Sequence, residues 1–230
     1  MSDTEFATLG GGCFWCIESA FNQVNGVIKA TSGYTGGHIH QPSYQQICSG
    51  TTGHAEVVQV EFNKNEVNFK TLLAMFFQLH DPTQLNRQGN DIGTQYRSAI
   101  FFHNTLQQTQ ALEVIQELNE LAIWPQPIVT ELTPATDFYP AEDYHQGYVE
   151  ANPNQAYCQY LVIPKLQKFK QQFSNYLKWS VKLAALLSSV VTDSETKTLF
   201  SIRPSRQRFV DHVLLFSTGV KFRRWAASLW

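Results

Sequence analysis

Cysteine is scarce: four residues, Cys13, Cys16, Cys48 and Cys158, in a chain of 230. That is too few for the disulfide framework of a secreted scaffold. It points instead to redox, metal or catalytic use. Long apolar runs are missing as well. The nearest, Leu183 to Val191, is short and broken by Ser188 and Ser189, so no bilayer-spanning helix is predicted. The start, Met1-Ser2-Asp3-Thr4-Glu5, carries no basic, apolar leader pattern, and a cytoplasmic location is expected. An excess of one charge is also lacking. Seventeen Lys and Arg stand against 19 Asp and Glu, a net of −2, which gives no reason to expect a nucleic-acid partner. No internal repeat is present. A monomer without membrane association is expected.

What the chain has is apolar residues, 43% of the total, with 13% aromatic. That is enough for a sizeable core and argues against disorder. Its charge is divided unevenly. Residues 178–230 hold nine Lys and Arg against Asp193, Glu195 and Asp211, a net of +6, which leaves −8 for residues 1–177. The shift predicts a main domain over 1–177 and a basic extension over 178–230, appended to it and of unknown role. A membrane-surface element is the other reading of that end, because basic residues with Phe and Trp bind anionic interfaces. No well-formed amphipathic helix there supports it.

Periodicity predicts a strand over 5–9, then a helix with the apolar stripe Phe14, Ile17, Ala20, Phe21 and Val24, ending near Asn25-Gly26. Strands follow over 27–32 and 55–62. The second alternates, with Val58, Val60 and Phe62 on one face, and reads as half-buried and central. Asn68 caps a helix carrying Phe69, Leu72, Leu73, Phe76 and Phe77. A long polar loop from His80 to Gln95 is of the kind that carries function. A strand over 96–102, a helix from Asn104 or Thr105 to Leu121 and a strand over 128–132 come next. A polar, aromatic turn spans 138–148, and a last helix runs from Pro164 to Phe173. Alternating strands and helices with large loops predict an α/β (α+β) two-layer sandwich, a ferredoxin-like sheet with packed helices and much coil.

The first strand hands over to the first helix at Gly10-Gly11-Gly12-Cys13-Phe14-Trp15-Cys16. Unpaired N–H groups and the positive end of the helix dipole meet Cys13 there, and such a setting predicts a lowered thiol pKa. Cys13 and Cys16 form a CxxC pair, which alone fits thiol redox or metal binding. A zinc site needs two more ligands, and the spacing of Cys48, His54 and Cys158 fits no standard pattern, so no metal is expected. Glu56 opens the apolar strand, Asp91 and Tyr96 lie in the long loop, and Tyr44 precedes Cys48. A buried glutamate among phenols is a candidate general acid. Taken singly, a solvent-facing Glu56, a loop-capping Asp91 and two core tyrosines are the plainer readings. Cys13 with His145 as a nucleophilic pair for acyl transfer, or a non-catalytic thiol module, stays open at this point.

The five runs Gly10–Cys16, Gly33–Gly37, Gly53–Glu56, Gly93–Ser98 and Tyr139–Gln146, in this order, resemble the type A peptide methionine-S-sulfoxide reductase family. The resemblance covers about residues 4–177 and stops before the basic extension. It implies that Cys13 attacks the sulfoxide sulfur and that Phe14 and Trp15 wall the pocket for the substrate methyl group. It implies that Glu56 protonates the sulfoxide oxygen, with Tyr44, Tyr96 and Asp91 as polar groups around that oxygen. No bound cofactor is implied. A second thiol resolves the Cys13 sulfenic acid, and thioredoxin or another dithiol reduces the resulting disulfide. Tyr157-Cys158 after Asn152-Pro153 matches a resolving position of the family, which makes Cys158 the expected resolving cysteine. Cys16, standing where many members have glycine, is the alternative. Cys48 is expected to be a spectator.

Overall fold

The computed structural model describes residues 3–179 and 181. Apart from positions 178, 179 and 181, the expected extension over 178–230, with its Leu183–Val191 run, lies outside the described residues. Along the chain run β1 (Thr4–Gly11), α1 (Phe14–Asn22), β2 (Val27–Thr35), α2 (Tyr44–Cys48), β3 (Ala55–Asn63), α3 (Phe69–Leu79), a short hairpin of β4 (Arg87–Gln88) and β5 (Asp91–Ile92), β6 (Ser98–Phe102), α4 (Thr105–Glu120), β7 (Glu131–Pro134), β8 (Tyr139–Pro140), α5 (Tyr148–Ala151) and α6 (Ile163–Gln172).

Six of the strands make one sheet in the order β7-β6-β1-β3-β2-β8. Its four inner strands are antiparallel, and β1, β2, β3 and β6 with α1 and α3 reproduce the ferredoxin-like succession. Register follows the apolar pattern: Ala7 faces Val60 and Leu9 faces Val58, all four fully buried. The alternation expected in β3 is present, with Val58, Val60 and Phe62 in the core under the helices. On the opposite face Ala55, Val57, Ala99 and Phe101 form a smaller cluster, covered by Ala135 and Phe138. So one face of the sheet carries helices and the other carries coil.

Side chains start the helices where the sequence places them. Asn68 accepts the Thr71 N–H at 2.8 Å, and Asn104 accepts the Gln107 N–H at 2.9 Å. Each cap satisfies an N–H that the helix leaves unpaired. Asn68→Ala is expected to cost about 1 kcal/mol, read as a lower urea midpoint at unchanged slope. An unchanged midpoint would show that α3 does not depend on this cap.

Three boundaries differ from the sequence expectation. β2 continues to Thr35, because Gly33, Tyr34 and Thr35 pair with β3. Tyr96 lies in a 3-10 turn over Thr94–Tyr96 and not in β6. The strand expected over 128–132 is β7, from Glu131, since the N–H groups of Ile128 and Val129 go to the Asn119 side chain and the Pro82 carbonyl. The last helix is entered through a wide π turn, Cys158–Val162. Pro164 has no N–H to give, which favours such an irregular turn. Beyond α6 the chain returns to α1: Asn25 N–H donates to the Tyr176 carbonyl, and Lys178 N–H to the Gln23 carbonyl.

Candidate active site

The site opens where β1 becomes α1. Gly12 has φ of +88°, and a Cβ there would stand 2.7 Å from the Gln88 side chain. Gly10 and Gly11 are somewhat less crowded, with a Cβ 3.0 Å from the Glu56 carbonyl at the first and 3.0 Å from Phe76 and His80 at the second. Cys13 follows as the N-cap residue of α1, and its side chain makes no capping hydrogen bond. The Phe14 N–H, left over at the helix start, donates to Glu56 Oε2 at 3.3 Å. That bond brings the first helical turn and the carboxyl of central strand β3 to one point.

Glu56 is 2% exposed. Burial pushes its carboxyl up to about 8; the Phe14 N–H pulls it down and Asp91 pushes it further up. A carboxyl in this state keeps its proton at neutral pH. Cys13 behaves differently from the expectation. Burial of its sulfur raises the thiol well above its ordinary value, and Glu56 adds to the rise. The Trp15 N–H and the Tyr157 hydroxyl act in the lowering direction, and Asp91 raises. The helix start does favour the thiolate, but enclosure between a carboxyl and aromatic rings outweighs it.

Tyr44 and Tyr96 reach the same place from α2 and from the turn before β6. Burial raises both phenols, and the Glu56 charge acts on each of them. Asp91 and Cys13 act on Tyr96 in the same direction. Asp91, in β5, accepts the Tyr157 hydroxyl at 2.8 Å. The structure thus brings Cys13, Phe14, Tyr44, Glu56, Asp91 and Tyr96 close enough for their hydrogen bonds and charges to act on one another, with Trp15 next to them on α1. Phe14 is also a core residue, 1% exposed, whereas Trp15 is half-buried.

Three residues surround Trp15: His145, considered from the sequence only as a partner for Cys13, and Tyr148 and Tyr157, which the sequence did not single out. His145 Nδ1 accepts the Trp15 indole N–H at 3.2 Å. Tyr148 stacks on the indole at 3.8 Å and 7°, and Tyr157 meets it edge-on at 5.8 Å. Burial lowers the His145 pKa, and Glu142 acts against this. A neutral His145 is the form that accepts from the indole. Its Nδ1 is thus taken by Trp15, and none of its hydrogen bonds goes to Cys13, so the acyl-transfer reading is not favoured. His145 and Tyr148 lie in the aromatic stretch 138–148, a visible signal. Tyr157 has no signal beyond its position next to Cys158, and its hydroxyl is held by Asp91.

The remaining thiols differ in placement. All four cysteines are free. Cys16 lines a cavity of about 20 Å³ together with Cys13, Asp91, Tyr157 and Lys165. Burial pushes Cys16 up to about 11, with Lys165 acting to lower it. Cys158 is buried in the core, and burial and Glu150 raise its thiol. Cys48 ends α2, exposed, one helical turn after Tyr44, and its thiol interacts with the Tyr44 hydroxyl. Among the described residues no three His, Cys, Asp or Glu side chains cluster as a metal site. Also among them, no helix is long and apolar enough to cross a membrane.

A thiol facing a carboxyl that still holds its proton is equipped to remove an oxygen as it becomes water, the work of a thiol oxidoreductase. The profile of the family described as peptide methionine sulfoxide reductase matches residues 5–177. A protein of Acinetobacter baumannii named peptide methionine sulfoxide reductase MsrA is 54% identical over 172 residues, 75% of this chain and 98% of its own. One of that name from Polynucleobacter asymbioticus is 51% identical over 173 residues, 75% of this chain and 91% of its own. Methionine sulfoxide reductase A of Corynebacterium diphtheriae has a solved structure similar over 67% of this chain and 78% of its own, at TM-score 0.63 and 38% identity. The reduced form of Mxr1 from Saccharomyces cerevisiae is similar over 67% and 89%, at TM-score 0.62 and 34% identity. The chain belongs to the peptide methionine sulfoxide reductase family.

Proposed function

We propose that Cys13 performs the reaction of this family, thiol-dependent reduction of methionine-S-sulfoxide to methionine, with Glu56 as its acid. The observation that carries this reading is the buried Glu56, held protonated to about 8 beside the Cys13 thiol. A sulfoxide oxygen leaves sulfur only as it gains a proton. Glu56 supplies that proton while Cys13 Sγ attacks the sulfur, and Tyr44, Tyr96 and Asp91 bind around the oxygen. Phe14 and Trp15 wall the methyl group. The protonated oxygen then passes from the substrate sulfur to Sγ as the S–O bond and the new bond between the two sulfurs both break, so methionine departs, Glu56 is left as a carboxylate and Cys13 as a sulfenic acid. A second thiol attacks that sulfur, a disulfide forms, and water leaves. Thioredoxin or another dithiol then reduces the disulfide by exchange and is itself oxidised. Thiols carry all the electrons, so the reaction needs no bound cofactor.

Cys158 is the proposed resolving thiol. Its neighbour Tyr157 already touches Cys13, and Cys158 itself opens the irregular π turn rather than a regular helix. Cys16 is the alternative, supported by the cavity it shares with Cys13. The proposed setting is a cytoplasmic monomer that acts on free methionine sulfoxide or on oxidised proteins. In this reading residues 1–177 are the catalytic unit and 178–230 an added basic extension.

One equivalent of methionine-S-sulfoxide, given to the reduced protein without a reductant, is expected to release methionine and leave a disulfide containing Cys13. Mass spectrometry of the peptides names its partner. Methionine release with Cys13 still a free thiol would sink the proposal. Cys158→Ser is expected to keep this first turnover and to lose thioredoxin-driven cycling. Cycling that survives Cys158→Ser but fails in Cys16→Ser moves the resolving role to Cys16.

A further inference from the structure

Glu18 stands in the middle of α1 and is 3% exposed. Glutamate is seldom buried this far without a partner that explains it. The reaction above has no use for it. Its Oε1 accepts the Gly147 N–H at 2.9 Å. Its Oε2 makes no hydrogen bond, and Ser32, Glu150 and Lys29 are the polar groups acting on it. Burial pushes this carboxyl up to about 7, so its neutral form is well populated beside Glu150.

Gly147 sits at φ +61°, ψ +28°, the corner of the turn that leads into α5. The residues on either side of that corner hold the site. His145 accepts the Trp15 indole N–H, and Tyr148 stacks on the same ring. Gln146 takes both the N–H and the carbonyl of Ser32 in β2. Ser19, next to Glu18, donates to Glu150 of α5 at 2.5 Å. Helix α1 thus carries Trp15 at its start and, one turn later, grips the segment that clamps Trp15. The helix backbone fixes only where the tryptophan begins. The plane of its ring is set by His145 and Tyr148.

We propose that Glu18 is a positioning residue for substrate binding: by accepting the Gly147 N–H it fixes the 145–148 turn, and through that turn the Trp15 wall of the methyl pocket. This rests on the role proposed above for Trp15. What matters in Glu18 is the acceptor oxygen and not the charge, so Gln in its place serves equally well.

The test uses the full chain, methionine-S-sulfoxide as substrate and dithiothreitol as reductant. Glu18→Met keeps length and burial and removes the acceptor. It is expected to raise KM about five- to tenfold, to leave kcat within about twofold, and to shift the Trp15 emission, taken as the difference from Trp15→Phe. Glu18→Gln is expected to restore both KM and emission. Equal impairment in the Gln and Met variants would overturn the proposal, because the acceptor is present in one and absent from the other. Trp15→Ala runs alongside. If it raises KM and Glu18→Met does not, the Glu18 inference alone fails. If Trp15→Ala leaves KM unchanged, the assignment of Trp15 as substrate wall fails, and this inference falls with it. Hydrogen exchange of the wild-type protein needs no variant: the Gly147 amide is expected to be protected, and exchange at the rate of an open loop overturns the proposal.

Discussion

Cys13→Ser is expected to release no methionine above background, a loss of at least about 10⁶-fold, while the protein stays folded. The two halves of this result come from one position. Cys13 is the N-cap residue of α1 and contributes no capping hydrogen bond. Serine is among the preferred N-cap residues, so the variant gains a helix cap as it loses its nucleophile. The thermal midpoint is expected to be equal to or above that of the wild type. A hydroxyl in the same place cannot take the sulfoxide oxygen to make a sulfenic acid, so no slower version of the same route remains. Residual turnover within tenfold of wild type would remove Cys13 from the reaction. A falling midpoint would instead show that the thiol carries structural contacts beyond those described.

Glu56→Gln is expected to slow single-turnover methionine release by about 10²- to 10⁴-fold, the range for loss of a general acid. Glutamine keeps the acceptor for the Phe14 N–H but has no acidic proton. The pH profile separates this from mere damage to the pocket. The Cys13 thiol is raised, so the wild-type rate climbs with pH as thiolate forms. Glu56 is raised to about 8, and above that value it is deprotonated and cannot give a proton. The climb is therefore expected to bend near pH 8. In Glu56→Gln the bend disappears and the small remaining rate goes on rising. The same bend in the variant would assign it to another group.

Much of this arrangement was readable in the chain. The alternation of β3 and the Asn68 cap depend on neighbours in sequence, and both appear where the pattern puts them. β7 was displaced because Ile128 and Val129 find partners off the sheet, a choice made by Asn119 and Pro82. Cys13 stood out by its place at a helix start, whereas Glu56, Tyr44, Asp91 and Tyr96 did not stand out singly and joined it only through the family resemblance that the five motifs carry. Two properties were not legible. The raised Cys13 pKa depends on how completely α1, β3 and the π turn enclose the sulfur, which no local signal encodes. Tyr157 enters the site from just before the wide turn of the last helix, a turn that helical periodicity passes over.

The glycines before Cys13 bear on anyone who wishes to retune the enzyme. A side chain at position 10, 11 or 12 runs into the Glu56 carbonyl, into Phe76 and His80, or into Gln88. On the sheet side of the thiol a substitution therefore forces a neighbour to give way, and at position 12 it also meets a positive φ. Room for variation lies on the far wall, in the segments that carry Tyr44, Asp91, Tyr96 and His145. Those segments are a short helix, a two-residue hairpin strand and two 3-10 turns, each with a partly exposed face. The protein thus places its nucleophile on one backbone segment and most of the polar groups that face it on others.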